Sequence, residues 1–491
     1  MKSLVKFIPI LAFVGLLMSK FDILIAAPIA VVLAAIVAMV VQKHSFETVL
    51  ENALNNVKDM VMIFFIIMVA YALAEVLLST GVGASIISVS LKLGITARTI
   101  AVIGFLVTCI LSIATGTSWG TFAACAPVFL WLNYIVGGNV VLTACAIAGG
   151  ACFGDNIGLI SDTTVLSSGI QNVKVIDRIR HQGIWSLLCA ALSAVAFFVA
   201  SLVMNLPNIA GNSSEAIQSI TPEAWQSIAD AKPVAVTLLE QVEQGVPIYM
   251  VIPIIIVIAL AIKGVQTLLC LGAGIVSSLV LGVFAGTVTS LSGSFEMITN
   301  GFTSAGSWTI LMIMWVAAFG GIMNSINAFE PLAKLVVKFS NNIRQLMFSN
   351  ALLCLIGNLI LGDEIAEIVT ISPVIKSITD KHVVTSEENM YKLRLRNATF
   401  ADALGVYGSQ LIPWHVFIIF YTSMANAVFP LYEFKTFDLI KYNFMAYIAV
   451  GSILILTITG LDRFIPLFGL PKDSEVEIVK DIKEIKEQAI I

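Results

Sequence analysis

Charge is scarce in this sequence: 27 basic and 31 acidic residues among 491, or 12%, where an average soluble chain carries about 25%. That shortage excludes a cytoplasmic globular enzyme and a disordered chain, both of which need a charged, hydrated surface. The formal imbalance is four negative charges, too small and too scattered to recruit nucleic acid. Histidine occurs four times, and the seven cysteines (Cys109, Cys125, Cys145, Cys152, Cys189, Cys270, Cys354) form no CxxC or Cys/His spacing, so no metal-site pattern exists. Most sit in apolar runs, where a free thiol acts as a small hydrophobe. No HExxH pair or ring pattern of a symmetric pore is found, which argues against a zinc-dependent intramembrane enzyme or a channel. What is abundant is apolar: 58% of residues, with mean hydropathy +0.97. Roughly ten helices of about 20 residues would occupy most of such a chain. The reading is an all-α polytopic membrane protein whose first partner is the lipid bilayer.

Apolar runs place spans near 4–19, 23–42, 59–79, 140–170, 183–205, 248–263, 265–287, 306–328, 398–430 and 443–461. The stretches 98–136 and 345–378 are each interrupted by a polar patch and read as re-entrant hairpins. Segments 46–58 and 290–304 mix Phe, Leu and Met with Glu and Asn and read as interfacial amphipathic helices. Met1 to Lys20 starts basic and turns apolar but lacks a cleavage motif, so it reads as an uncleaved first span. The Lys/Arg bias assigns the loop with Lys174, Arg178, Arg180 and His181 to the cytoplasm, with Lys334, Lys338, Arg344 and the stretch from Lys376 to Arg396. The acidic segment 206–247 then lies outside, and both termini face the cytoplasm of an inner (cytoplasmic) membrane. The chain divides into a first span (1–21), repeat 1 (22–205), the outer loop (206–247), a linking span (248–264), repeat 2 (265–461) and a charged tail (462–491). In the tail, the spacing of Ile478, Ile482 and Ile485 suggests a surface helix.

The two repeats rest on a self-similarity at an offset of 246–249 residues. Ser45-Phe46-Glu47 recurs as Ser294-Phe295-Glu296, and Gly116 with Pro127 as Gly362 with Pro373. Ala151, Phe153, Asp155 and Gly158 recur as Ala398, Phe400, Asp402 and Gly405. Three matches in order at nearly one offset define homologous halves. An odd number of crossings between them, five spans plus a hairpin in each, would make them inverted repeats with broken helices meeting at the midplane, as in secondary transporters.

Polar residues inside apolar spans are costly unless a partner, a wet cavity or a cation accompanies them. In repeat 1 they cluster at Thr115 to Thr121 and at Gly154 to Thr164; in repeat 2, at Gly362-Asp363-Glu364 with Glu367 one turn on, and at Asp402, Gly405, Gly408-Ser409-Gln410 and Pro413-Trp414-His415. Glycines let a helix unwind and free carbonyls for a hard cation, which prefers an oxygen shell. In low dielectric, a proton and Na+ compete for one carboxylate, which is a minimal exchange device. Asp155 and Asp162 are the expected Na+ ligands. Thr117, Ser118, Asn156, Ser161 and Thr163 add oxygens, and Asp363, Glu364, Asp402 and Ser409 supply the second half. Glu75 and Glu296 read as structural, His415 as a packing histidine, and Trp119, Trp308 and Trp315 as anchors.

The motifs Gly116-Thr117-Ser118-Trp119-Gly120-Thr121, Gly154-Asp155 and Ser161-Asp162-Thr163-Thr164 resemble those of the NhaC-type sodium/proton antiporter family. So do Gly362-Asp363-Glu364 with Ile368-Val369, and Asp402 with Ser409 to Trp414. The likeness runs over roughly residues 20–460. It implies paired hairpins in inverted repeats and exchange of Na+ for H+, both of them transported ions, with no cofactor. One stretch and two single positions depart from the family pattern: Asn156 to Ile160, Ala401 and His415. The alternative is a Na+- or H+-coupled exchanger of a small organic solute, an amino acid or a hydroxy or dicarboxylic acid. Its carboxylate would sit on the hairpin-tip amides and its amine on Asp402 or Asp363. Assembly with a second copy of the chain is left open.

Overall fold

The computed structural model describes residues 5–480 apart from 20, 22, 159–160, 209–212, 219, 232, 264 and 327–329. Helices α1 (Ile8–Met18) and α2 (Ile23–Val41) lead into α3 (Phe46–Asp59), α4 (Val61–Ser79) and α5 (Val82–Lys92). A hairpin follows, α6 (Ile100–Thr115) and α7 (Ser118–Ile135), then α8 (Val140–Ile157), α9 (Asp162–Ile170) and α10 (Val175–Val203). After α11 (Ser213–Gln218), α12 (Pro222–Ala231), α13 (Pro233–Gln244), α14 (Ile252–Ile262) and α15 (Thr267–Ala285), the order repeats. It runs α16 (Leu291–Ser304), α17 (Ile310–Ser325), α18 (Glu330–Phe339), the second hairpin α19 (Ile343–Leu361) and α20 (Glu364–His382), then α21 (Glu387–Ser409) and α22 (Val416–Val428). Last come α23 (Thr436–Lys441) and α24 (Phe444–Thr459). Among the described residues, seven helices are long and apolar enough to cross a membrane. The chain is an all-α polytopic membrane protein.

The hairpins differ in length: α6 has 16 residues, whereas α19 has 19 and is long and apolar enough to cross a membrane. With 29 residues, α10 is about 43 Å long at about 1.5 Å per residue and exceeds a hydrocarbon core of about 30 Å. With 16 residues, α6 reaches only about 24 Å before it turns back. Each turn is a glycine in the left-handed region, Gly116 at φ 67 and Gly362 at φ 66, followed by an extended N-cap, Thr117 or Asp363. The hairpins open at opposite ends of α10. Arg98, at the mouth of the first, donates to the carbonyl of Leu206 just past the end of α10. Lys376, at the mouth of the second, donates to the Ile170 carbonyl just before its start.

The halves also exchange contacts. A Cβ on Gly301 of α16 would lie 2.4 Å from Ala72 Cα of α4, and one on Gly321 of α17 would lie 2.4 Å from the Asn52 carbonyl oxygen of α3. Residues 52 and 301, like 72 and 321, are 249 apart. One close crossing is therefore made twice with its partners swapped, as a two-fold relation requires.

Segment 206–247 folds into the short helices α11, α12 and α13, and α13 buries Ala235, Leu238 and Leu239. Three expectations are corrected. Segment 290–304 is no separate interfacial helix, because α16 continues through a π-turn at Ala305–Thr309 into α17. The π-turn lies inside the helix and does not end it. The tail forms no helix at Ile478: Glu477–Ile478 pairs antiparallel with Val383–Val384, while Ile482 and Ile485 lie outside the described residues. Finally, Asp402 is not in a break. It sits inside α21, which is continuous to Ser409 and gives way only ahead of Pro413, a residue that lacks an N–H to carry the ladder on.

Candidate ion site

Glycines bring the functional helices together. Gly150 and Gly154, one turn apart on α8, press on α6: added Cβ atoms would lie 2.5 Å from the Phe105 carbonyl oxygen and 2.0 Å from Ser112 C. Ser112 ties the crossing by bonding the Ala151 carbonyl and accepting from Gly154 N–H. Asn358 of α19, its counterpart 246 residues on, donates to the carbonyls of Leu404 and Gly405 of α21 at 3.1 and 2.8 Å.

The first hairpin tip docks on Asp155. Its Oδ2 accepts from the Ser118 amide at 2.9 Å, an anionic cap on the N-terminus of α7. Thr163 and Thr164 turn back across the break after Gly158 and donate to the Asp155 carbonyl at 3.3 and 2.9 Å, and Ser161 meets Thr163 at 3.0 Å. Trp119 stacks on Phe417 and packs on Phe420 of α22, with centroids 4.7 and 4.8 Å apart. Thr117 lies at the tip as the N-cap of α7. Asp162 opens α9, but its side chain, like those of Lys334 and Trp308, lies outside the described residues.

Across the molecule, Asp402 is fully buried in an ion pair with Arg178 of α10. The same oxygen accepts from Asn156 Nδ2 at 3.1 Å, and the Thr163 hydroxyl stands beside it. Asn156 is the hub: its carbonyl accepts from Arg178 and Gln182, and its Oδ1 from Gln182 and Ser186. Asp402 Oδ1 and Arg178 Nε and Nη1 are buried without a hydrogen-bond partner among the described residues.

The second hairpin tip is acidic. Asp363 caps α20, accepting from the Ala366 amide at 2.6 Å. Glu364 and Glu367 face α21, where a Cβ on Gly405 would lie 3.9 Å from Glu364 Cβ and 3.2 Å from Glu367 Oε2. Glu367 is fully buried. The Cys354 thiol lies beside it and the charge of Asp402 is within its reach, yet neither carboxylate oxygen has a partner of hydrogen-bond geometry among the described residues. A buried carboxyl in that position needs either a proton or a metal cation.

The structure thus joins Asn156, Thr163 and Asp402, and through the Thr163 bond to the Asp155 carbonyl links them to Asp155 and Ser118. It leaves Ser409 elsewhere, with its hydroxyl on the Val406 carbonyl and the Gln410 amide. His415 is a packing residue, as expected. Its Nδ1 accepts from the Phe417 amide, and its Nε2 faces Asn358 Oδ1 at 2.8 Å. Asn358 turns its amine to two carbonyls, so the ring is neutral with its proton on Nε2.

Sequence reasoning missed Arg178, which it read as one charge of a cytoplasmic basic cluster. The signal was present: Arg178, Gln182 and Ser186 recur every four residues, a polar stripe on one face of an apolar helix.

The chain matches the model of the Na+/H+ antiporter family over residues 2–157 and 150–461. It is 24% identical to the Na(+)/H(+) antiporter NhaC of Alkalihalophilus pseudofirmus, covering 66% of this chain and 67% of that protein. Identity to the malate-2H(+)/Na(+)-lactate antiporter of Bacillus subtilis is 21%, covering 72% of this chain and 71% of that protein. Among solved structures, the Alcanivorax borkumensis YdaH transporter aligns with a TM-score of 0.40 at 12% identity, over 84% of this chain and 88% of that one. Together with its buried acidic hairpin and apolar helices, the family match over nearly the whole chain settles its membership: it belongs to the Na+/H+ antiporter family.

Proposed function

We propose that this antiporter exchanges Na+ for H+ across an inner (cytoplasmic) membrane by alternating access, with Glu367 as the carboxyl that carries one or the other ion. The observation that carries the reading is Glu367 itself, wholly buried, with only the Cys354 thiol beside it and no cationic or amide partner of hydrogen-bond geometry among the described residues. Asp402 differs from it in having a resident counter-charge, Arg178. One buried carboxylate is thereby neutralised by the protein, and the next must be neutralised by a transported ion. Asp402 Oδ1, Glu364 and the carbonyl groups around Gly405 supply oxygens of the kind Na+ prefers. Asp155 and Asp162 act on the other side of the site, where Asp155 holds the first hairpin tip. The halves are read as inverted repeats, one hairpin entering from each membrane face, with both termini cytoplasmic.

The test is Na+-driven proton flux in proteoliposomes. Glu367→Gln keeps the size and loses the ionisable group. It should lower flux at least 100-fold, while Glu367→Asp retains measurable flux. Undiminished exchange by Glu367→Gln would remove Glu367 from the mechanism. A second reading has one observation in its favour: Arg178 Nε and Nη1 are buried without partners among the described residues, and a guanidinium edge recognises carboxylates. Flux that appears only when a hydroxy acid or an amino acid is supplied would establish the organic exchanger instead.

A further inference from the structure

Beside the second hairpin tip lies a cavity of about 300 Å³ between α3, the end of α17 and the start of α20. Its polar lining is Asn52, Asn55, Asn56, Asn324, Ser325 and Asp363. We propose that this cavity is a vestibule that receives a hydrated monovalent cation at the hairpin tip and passes it to the Glu367 face of α20; the proposal rests on the exchange reading above.

The lining chemistry selects the ligand. Among the described lining residues the only charged group is Asp363, and no basic side chain is present. Asn56 gives its amide nitrogen to the Ala317 carbonyl at 2.7 Å, so its oxygen is what remains to face the cavity. Carboxamide and hydroxyl oxygens replace water around a hard cation at little cost, and one carboxylate fixes the sign. At about 30 Å³ per water the space holds roughly ten waters, enough for a cation with its first hydration shell. Asp363 and Ala366 line the cavity, whereas Glu364 and Glu367 turn to Gly405, so the cavity and the Glu367 face lie on two sides of the same hairpin tip.

The repeat supplies an internal control. Shifting the cavity by the repeat offset lands at the first hairpin, where the space is filled. Gly301 sits on Ala72, Tyr71 bonds Thr309 and Ser423 at 2.9 Å, and Trp119 packs on Phe417 and Phe420. Asn324 corresponds to Glu75, which is 7% exposed. One of two related positions is open and the other sealed, as expected of a carrier at rest with one gate open.

All seven native cysteines are buried, so a single introduced thiol is readable in the full chain. Asn324→Cys and, as a second site on another helix, Asn55→Cys are labelled with cationic and anionic methanethiosulfonates, with rates normalised to a small free thiol. The expected result is at least 10-fold preference for the cationic reagent and several-fold slowing when Na+ replaces choline, the slowing being lost with Asp363→Asn. Equal rates for the two reagents, or no Na+ effect at either position, would overturn the proposal. So would protection by a hydroxy acid or an amino acid but not by Na+. The readout needs no transport. Na+-protected thiols in a protein that does not exchange Na+ for H+ would sink the exchange reading and leave the vestibule standing. Exchange with unprotected thiols would do the reverse.

Discussion

The two hairpins share a backbone and differ in chemistry. Gly116 and Gly362 turn at φ 67 and φ 66, and the N-caps after them, Thr117 and Asp363, share a φ of −147 with ψ of 132 and 129. At matched positions the first hairpin carries Thr117, Ser118 and Thr121, and the second Asp363, Glu364 and Glu367. The two tips share one backbone conformation, while the carboxylates sit on the second alone. The hydroxyl hairpin needs a carboxylate from outside, Asp155, to cap it; the acidic hairpin caps itself through Asp363.

The sharpest test of this division compares the two aspartates that sit at matching places in the repeat. Asp402→Asn leaves Arg178 buried without its counter-charge and should cost about 3–5 kcal/mol, read as a large fall in thermal stability in detergent. Asp155→Asn retains an oxygen for the Ser118 amide and should cost only about 1 kcal/mol. Equal losses would mean that the ion pair is not the difference between the halves. Arg178→Gln combined with Asp402→Asn should recover most of the larger loss, because no lone charge remains.

A smaller effect concerns the helix crossings that carry those aspartates. Gly154→Ala would drive a methyl group into the backbone of α6, 2.0 Å from Ser112 C, and should destabilise by roughly 1–3 kcal/mol. Gly408→Ala meets the end of the Leu355 side chain at 2.9 Å and Asn358 Nδ2 at 3.4 Å, side-chain atoms rather than backbone, and should cost under about 1 kcal/mol. The smallest and most symmetrical effect lies at the turns. Gly116→Ala and Gly362→Ala should each cost about 1 kcal/mol for the left-handed backbone. Gly362 should lose slightly more, since its methyl group would lie 2.9 Å from Val316 Cγ1. Denaturation series on the paired variants measure both comparisons.

The hairpins were legible in the sequence because a bilayer tolerates a polar, glycine-bearing patch in the middle of an apolar run only where the backbone turns or unwinds inside the protein. The offset of 246–249 residues was visible because it falls on glycine, proline and aspartate, residues tied to turns, kinks and caps. Arg178 was not, because the rule that assigns loop charges to the cytoplasm does not ask which face of a helix a charge occupies. Glu367 was noticed only as a neighbour of Asp363 and Glu364. Its standing depends on what surrounds it, Gly405 and Cys354 from two other helices, and no local pattern records that. The reading of Asp402 as part of a break failed for a related reason. Gly405 and Gly408 suggest unwinding, but here they let α19 and α20 approach closely and remain helical.

The short ladder between Val383–Val384 and Glu477–Ile478 has a mechanical consequence. It staples the distal chain to the root of the acidic hairpin, and Lys480 adds a second stitch to Asn341 at 2.8 Å, beside the start of α19. Any swing of that hairpin must drag the stapled strand or tear it loose, so a pull on the tail is felt at its root.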